Sequence, residues 1–129
     1  RALFMERLGR EVRHAGRRQD HLFAVLFLDI DRFKVVNESL GHKVGDQLLK
    51  SMARRLAGCL DCTDTLARFG GDEFTILLED IKDISDATRI ASRIQKSLAS
   101  PVQLSGYEVF TSASIGIALN ATGCAKPED

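Results

Sequence analysis

The sequence has no excess of charge of either sign. Eighteen Lys and Arg are cancelled by eighteen Asp and Glu, so no global field argues for nucleic acid or an anionic membrane as a partner. No apolar run approaches the roughly 20 residues that span a bilayer, and no signal-peptide pattern is present. Direct membrane contact by this segment is not expected, whatever anchor a longer parent chain carries, and a cytoplasmic location is. Cysteine is scarce. Three of them, an odd number, make no disulfide framework. Cys59 and Cys62 form a C-x-x-C, but no second Cys or His pair follows at zinc spacing, and reduced cytosolic packing is the expectation.

What is present fits one soluble domain. At 129 residues, 44% apolar and 28% charged, the chain can bury a core of its own. Phe4, Leu8 and Val12 recur at helical spacing and predict a first helix over 2–17, with Arg13, Arg17 and Arg18 on a solvated face. "FAVLFLDI" (23–30) is almost continuously apolar and reads as a central strand buried on both sides. A short helix over 32–40 is stopped by Gly41, and Leu48, Leu49, Met52, Leu56 and Leu60 predict another over 44–60. Strands over 64–69 and 72–79 flank Gly70 and Gly71, the pair expected to supply positive φ in a hairpin. Ala87, Ile90, Ala91, Ile94 and Leu98 predict a helix capped by Ser85. "PVQL" and "YEVFTSASIGIAL" read as two strands joined by Ser105 and Gly106. The order is α-β-α-α-β-β-α-β-β, and its core βαββαβ is the ferredoxin-like α+β arrangement.

That topology gives the acids a place. In a βαββαβ sheet the first and third strands are antiparallel neighbours, so the end of one lies beside the start of the other. Asp29 and Asp31 end the first; Asp72 and Glu73 begin the third. Four carboxylates crowded at one sheet end raise one another's pKa, and a hard divalent cation relieves the repulsion while leaving room for substrate phosphates. The free N–H groups of the 32–40 helix suit phosphate. Simpler roles stay open: Glu73 as a cross-strand partner of Arg68, and Asp31 as a helix N-cap. An EF-hand reading of "DIDRFKVVNESL" fails, because its sixth position is Lys34 and its twelfth is Leu40.

"RFGGDEF" together with "LDIDRFKVVNESLGHKVGDQLL" resembles the GGDEF domain of bacterial diguanylate cyclases, from the first helix to about Asn120. The resemblance implies a nucleotidyl-cyclase or palm-like fold. It also implies condensation of two GTP into cyclic di-GMP and pyrophosphate, with Mg²⁺ or Mn²⁺, in bacterial second-messenger signalling. Two domains would face each other as an antiparallel homodimer, each 3′-hydroxyl attacking the other's α-phosphate. Asp29, Asp72 and the backbone carbonyl of Ile30 would hold metal. Asp72, Glu73 or both would help deprotonate the hydroxyl. Asn37 and Asp46 would read the guanine edge, with His42 near the same pocket. Phe33 and Lys34 would contact phosphates, Lys34 also offsetting transition-state charge. Gly70 and Gly71 would let the backbone approach the nucleotide. Surface exposure for Asn37 and a helix-start role for Asp46 remain the plainer alternatives.

Departures from the family pattern set further expectations. The chain reads as one GGDEF domain over 1–129 without the family's extreme N-terminal turn or the C-terminal helix and strand that carry further phosphate-gripping cations. The product-inhibition pattern R-x-x-D reads Asp61-Cys62-Thr63-Asp64, so no inhibitory site is expected. Phrases such as "LFLDIDRFKVVNESLGH" are similar to GGDEF domains in tandem with EAL phosphodiesterase domains. The second functional reading follows: a catalytically weak GTP-binding module controlling a neighbouring EAL domain, with a sensory domain upstream in the parent. A palm domain for another nucleotide is disfavoured by Asn37 and Asp46.

Overall fold

The computed structural model of the chain describes residues 1–17, 22–79 and 81–119, with the side chains of 14–17 excepted. Its elements in chain order are α1 (Ala2–Arg17), β1 (Ala24–Ile30), α2 (Phe33–Leu40), α3 (His42–Gly58), β2 (Thr65–Gly70), β3 (Glu73–Leu78), α4 (Ile84–Leu98), β4 (Val102–Leu104), β5 (Tyr107–Val109) and β6 (Ala113–Leu119). Four strands form one sheet in the order β2-β3-β1-β6, every neighbouring pair antiparallel. This is the expected ferredoxin-like arrangement. The solvated face expected of Arg17 and Arg18 lies outside the described side chains.

Strand periodicity decides where the core sits. Ala24, Leu26, Leu28 and Ile30 point to one face, where they pack with Ile76 and Leu78 against Leu48, Met52 and Leu56 of α3 and Ala87, Ile94 and Leu98 of α4. Each such fully buried aliphatic side chain stabilises the fold by about 1.5–3 kcal/mol. The opposite face is covered by α1: Phe4 and Leu8 lie on Val25, Ala67 and Leu77, and Phe4 meets Phe69 edge-on at 5.3 Å. α1 reaches only part of that face. Phe27 stays 53% exposed, so β1 is not buried on both sides as its apolar run suggested.

Three other expectations are corrected. The stretch 107–119 is two strands: β5 pairs only with β4, in a separate two-stranded sheet, and β6 joins the main sheet. The Arg55 guanidinium of α3 donates to the carbonyls of Ser97, Ser100 and Pro101, which lead into that hairpin, and Ser105 at its turn donates to Gln47 Oε1 of α3 at 2.9 Å. β3 begins at Glu73, leaving Asp72 in the turn. The N-cap of α4 is Asp83, whose carboxylate accepts the Ser85 amide at 2.8 Å. Asp fits because an N-terminal helix end presents unpaired N–H groups and partial positive charge.

The Ser85 bonds to its carboxylate hold Asp83 below the usual pKa. A depressed folded-state pKa contributes stability above the unfolded value that is lost as pH falls through the folded one. Asp83→Ala is therefore expected to lower the melting temperature at neutral pH, with the gap from the parent protein closing in acid below the normal carboxylate range. Thermal scans at pH 7 and about pH 3 check this, and a gap unchanged by acid would contradict it.

Candidate active site at the β1–β3 end

The register of β1 on β3 sets Asp29 opposite Glu73. One step further, the Ile30 amide donates to the Asp72 carbonyl at 3.1 Å, tying the β2–β3 turn to the end of β1. The expected convergence is present. Asp29 is exposed, and its carboxyl is pushed above its ordinary pKa first by a hydrogen bond shared with the Asp72 carboxyl. Partial desolvation adds to this, as does repulsion from Asp72, Glu73 and Asp31. Among the described residues, no three acidic, His or Cys side chains enclose a metal position by themselves. Two carboxylates with an adjacent backbone carbonyl remain, a donor set that suits a hard cation completing its shell with phosphate oxygens and water.

The turn is built differently from the sequence expectation. A register irregularity between Arg68 and Gly70 sets Gly70 opposite Glu73, so the two-residue loop is Gly71–Asp72. Of the two glycines only Gly71 has positive φ, 27°. A side chain at Gly70 would meet nothing within 4 Å. Arg68 lies opposite Phe74 and donates from Nε to the Gly71 carbonyl at 2.8 Å. The Arg68–Glu73 ion pair is absent among the described residues, and Glu73 is left exposed. Nor is Asp31 an N-cap. That position is Arg32, in the left-handed region without a side-chain bond, and the Asp31 carboxylate is taken by Ser112 and Ser114.

Beside the acids, α2 and α3 make a second wall. α2 starts at Phe33 with no side-chain cap, leaving its first N–H groups free. The Phe33 ring is half-buried against the core; Lys34 is exposed and only loosely paired with Glu38 at 4.0 Å. Asn37 lies across α3 where that helix carries Gly45. A Cβ there would overlap Asn37 Oδ1 and stand 3.2 Å from its Cγ and 3.5 Å from Phe33 Cε1. Gly45 is the site residue that the motif reading missed, and its signal was a lone glycine inside a strong helix pattern. Asp46, the next residue, is exposed, as is His42 at the first position of α3. Asp61 and Asp64 sit apart from these walls, closing the turn after α3. The Asp64 carboxylate accepts the Asp61 amide at 3.0 Å.

A ferredoxin-like sheet with an acidic end and the helix pair α2–α3 beside it is a palm-like architecture. Residues 1–129 match the family described as "Diguanylate cyclase, GGDEF domain", and the chain belongs to that family. It is 48% identical over 120 residues to diguanylate cyclase TpbB of Pseudomonas aeruginosa, 92% of this chain and 27% of the relative. The bifunctional diguanylate cyclase/cyclic di-GMP phosphodiesterase MucR of the same species is 45% identical over 119 residues, 92% of this chain and 17% of its own length. The chain thus spans about a quarter or less of these relatives. Among solved structures, the GGDEF domain of TpbB superposes with a TM-score of 0.91 at 45% identity, covering 99% of this chain and 80% of that one.

The raised Asp29 pKa has a consequence for stability. Between the unfolded and the raised folded value the native state binds more protons, so metal-free stability falls as pH rises through that window. Asp29→Asn removes one partner of the repulsion. It is expected to raise the melting temperature of the metal-free protein near neutral pH and to flatten that fall; a lower melting temperature at pH 7 would count against the cluster.

Proposed function

We propose that this domain condenses two GTP into cyclic di-GMP with release of pyrophosphate. One observation carries the reading: the Asp29 and Asp72 carboxyls meet beside a capless helix start, where Asn37 of α2 packs against α3 at Gly45, next to Asp46. Asp29, Asp72 and the Ile30 carbonyl would hold Mg²⁺ or Mn²⁺, which when bound polarises the phosphate and draws charge from the attacking oxygen. The chain's own groups do the rest. The Asn37 amide and Asp46 carboxylate take the guanine edge, while the first N–H groups of α2 and the Lys34 ammonium take phosphate oxygens. Glu73, exposed beside Asp72, accepts the proton of the 3′-hydroxyl, with Asp72 sharing that role. The new bond joins that oxygen to the α-phosphorus of the GTP on a facing domain, and the bond to pyrophosphate breaks. Repeated in the other direction, the step closes the ring, so a second GGDEF domain is the required partner.

A second reading is favoured by the relatives. MucR is named for both synthesis and hydrolysis of cyclic di-GMP, and an EAL/GGDEF domain protein from M. capsulatus is 42% identical at a TM-score of 0.73. In such a setting the domain would bind GTP and control an EAL neighbour while cyclising little.

Two experiments test these readings. The full protein carrying this domain, incubated with GTP and Mg²⁺, is expected to yield cyclic di-GMP by mass spectrometry. Asp29→Asn should abolish both the product and the rise in melting temperature that Mg²⁺ with GTP produces. GTP-dependent stabilisation without product would favour the regulatory reading, and neither effect would overturn both.

Gly45→Ala probes the proposed guanine contact of Asn37. Ala improves helix propensity by about 1 kcal/mol, and the atom that its Cβ would overlap is the terminal Oδ1 of the half-buried Asn37, whose Cγ stands at 3.2 Å. The fold is expected to hold or gain stability while the KM for GTP rises about tenfold, equivalent to about 1.4 kcal/mol. An unchanged KM would remove Asn37 from guanine recognition.

A further inference from the structure

Asp31 has no part in the roles above, yet it is the most heavily bonded acid at this end of the sheet. Its Oδ2 accepts Ser112 Oγ at 2.7 Å, its Oδ1 accepts Ser114 Oγ at 2.8 Å, and its amide donates to the Ser112 carbonyl at 2.9 Å. Three bonds fasten one residue of the β1–α2 turn to the beginning of β6. That beginning is itself braced from the other side, since Gln95 of α4 donates to the Ala113 carbonyl at 3.0 Å.

The residues on either side of Asp31 are those that need fixing. Before it, Ile30 offers its carbonyl at the acidic end and bonds the Asp72 turn through its amide. After it, Arg32 has φ 62° and ψ 14°, a left-handed conformation that non-glycine residues seldom adopt and that persists where surroundings hold it. This twist sets the direction in which α2 leaves the strand, and with it the aim of the free N–H groups of Phe33 and Lys34. With both oxygens occupied by serine hydroxyls, the Asp31 carboxylate is tied to the start of β6.

We propose that Asp31 is a positioning residue. Through Ser112 and Ser114 it pins the β1–α2 turn to β6, so that the Ile30 carbonyl and the α2 N-terminus meet an incoming triphosphate already aligned. The inference rests on the phosphate-and-metal reading of the site. Its physical basis is preorganisation, because a misplacement of about 1 Å near reacting groups costs about a hundredfold in rate.

The decisive variant is Ser112→Ala/Ser114→Ala, which keeps the Asp31 charge but removes both donors. In metal-free and nucleotide-free protein, hydrogen exchange read by mass spectrometry should accelerate about tenfold or more in the peptide covering 28–33, with residues 48–56 of α3 unaffected. The kcat for cyclic di-GMP should fall about tenfold or more with the KM for GTP within about twofold. Asp31→Asn should stay within about threefold of the parent, because a serine hydroxyl can turn to accept from the new amide and keep the tie. Asp31→Ala should behave as the double serine variant does. The opposite order, with Asp31→Asn dead and requiring more Mg²⁺ while the serine variant works normally, would make Asp31 a metal ligand and overturn the proposal. Unchanged exchange in the serine variant would overturn it as well. If the parent protein makes no cyclic di-GMP, the cyclase reading fails separately. The hydrogen-exchange comparison then decides the pin by itself, unchanged exchange over 28–33 in the serine variant overturning it.

Discussion

The pairing of β1 with β3 is the constraint on which the rest of this site depends. Because the strands run antiparallel and β1 ends where β3 begins, residues 43 apart in sequence share one end of the sheet. The main chain makes this contact firm through the Ile30 amide and the Asp72 carbonyl. Core packing then carries the cost of the arrangement. Leu26, Leu28 and Ile76, all at most 2% exposed, hold the strands in a register that forces Asp29 against Asp72 and Glu73. A one-residue slip would turn the apolar set outward and is strongly disfavoured. Repulsion at the strand ends therefore cannot relax by sliding. It is met instead by a proton: the hydrogen bond that the Asp29 carboxyl shares with Asp72, with partial desolvation and the neighbouring charges adding to it, raises the Asp29 pKa.

Much of this was legible in the sequence, for identifiable reasons. Helical spacing gave α1, α3 and α4 within a few residues because each has one apolar stripe facing a sheet. The βαββαβ order followed, and with it the meeting of Asp29 and Asp72. What was not legible depends on tertiary partners. The burial of Phe27 depends on how far α1 extends across the outer face, which no periodicity encodes. The split of 107–119 depends on which strands its two parts pair with, β5 with β4 and β6 with the distant β1. Between Arg68 and Gly70 the register irregularity moves the turn by one residue, and two adjacent glycines conceal that shift because either can take positive φ.

Asp31 and Gly45 illustrate the same limit from two sides. A carboxylate just before a helix matches an N-cap by pattern, but the partners it finds lie 81 and 83 positions downstream on β6. Only the sheet order β1-β6 brings them near. Gly45 looks like a local weakness in α3, since glycine in a helix costs about 1 kcal/mol relative to alanine. Its reason lies in α2, where Asn37 occupies the space a methyl group would take. In both cases a residue that breaks a local preference does so where two elements meet beside the site.

The site's halves also differ in how they are fixed, and this bears on how the domain handles charge. The acidic half is built from strand ends whose geometry follows from sheet register and cannot adapt much. The other half is built from α2 and α3, joined through Gly41 at φ 95°, with Asn37 half-buried and Asp46 exposed. Between them is the β1–α2 turn, the one connection whose movement would separate the halves. Its left-handed Arg32 lacks a glycine's freedom, so the turn needs outside bonds to keep its shape, and those bonds come from β6. On the proposed reading, a rigid acidic sheet end, a helix pair and a turn pinned from a third direction would make a site whose two halves keep their spacing before any nucleotide arrives. Such preorganisation is what a reaction between two large anions requires, because little binding energy is then spent on ordering the protein.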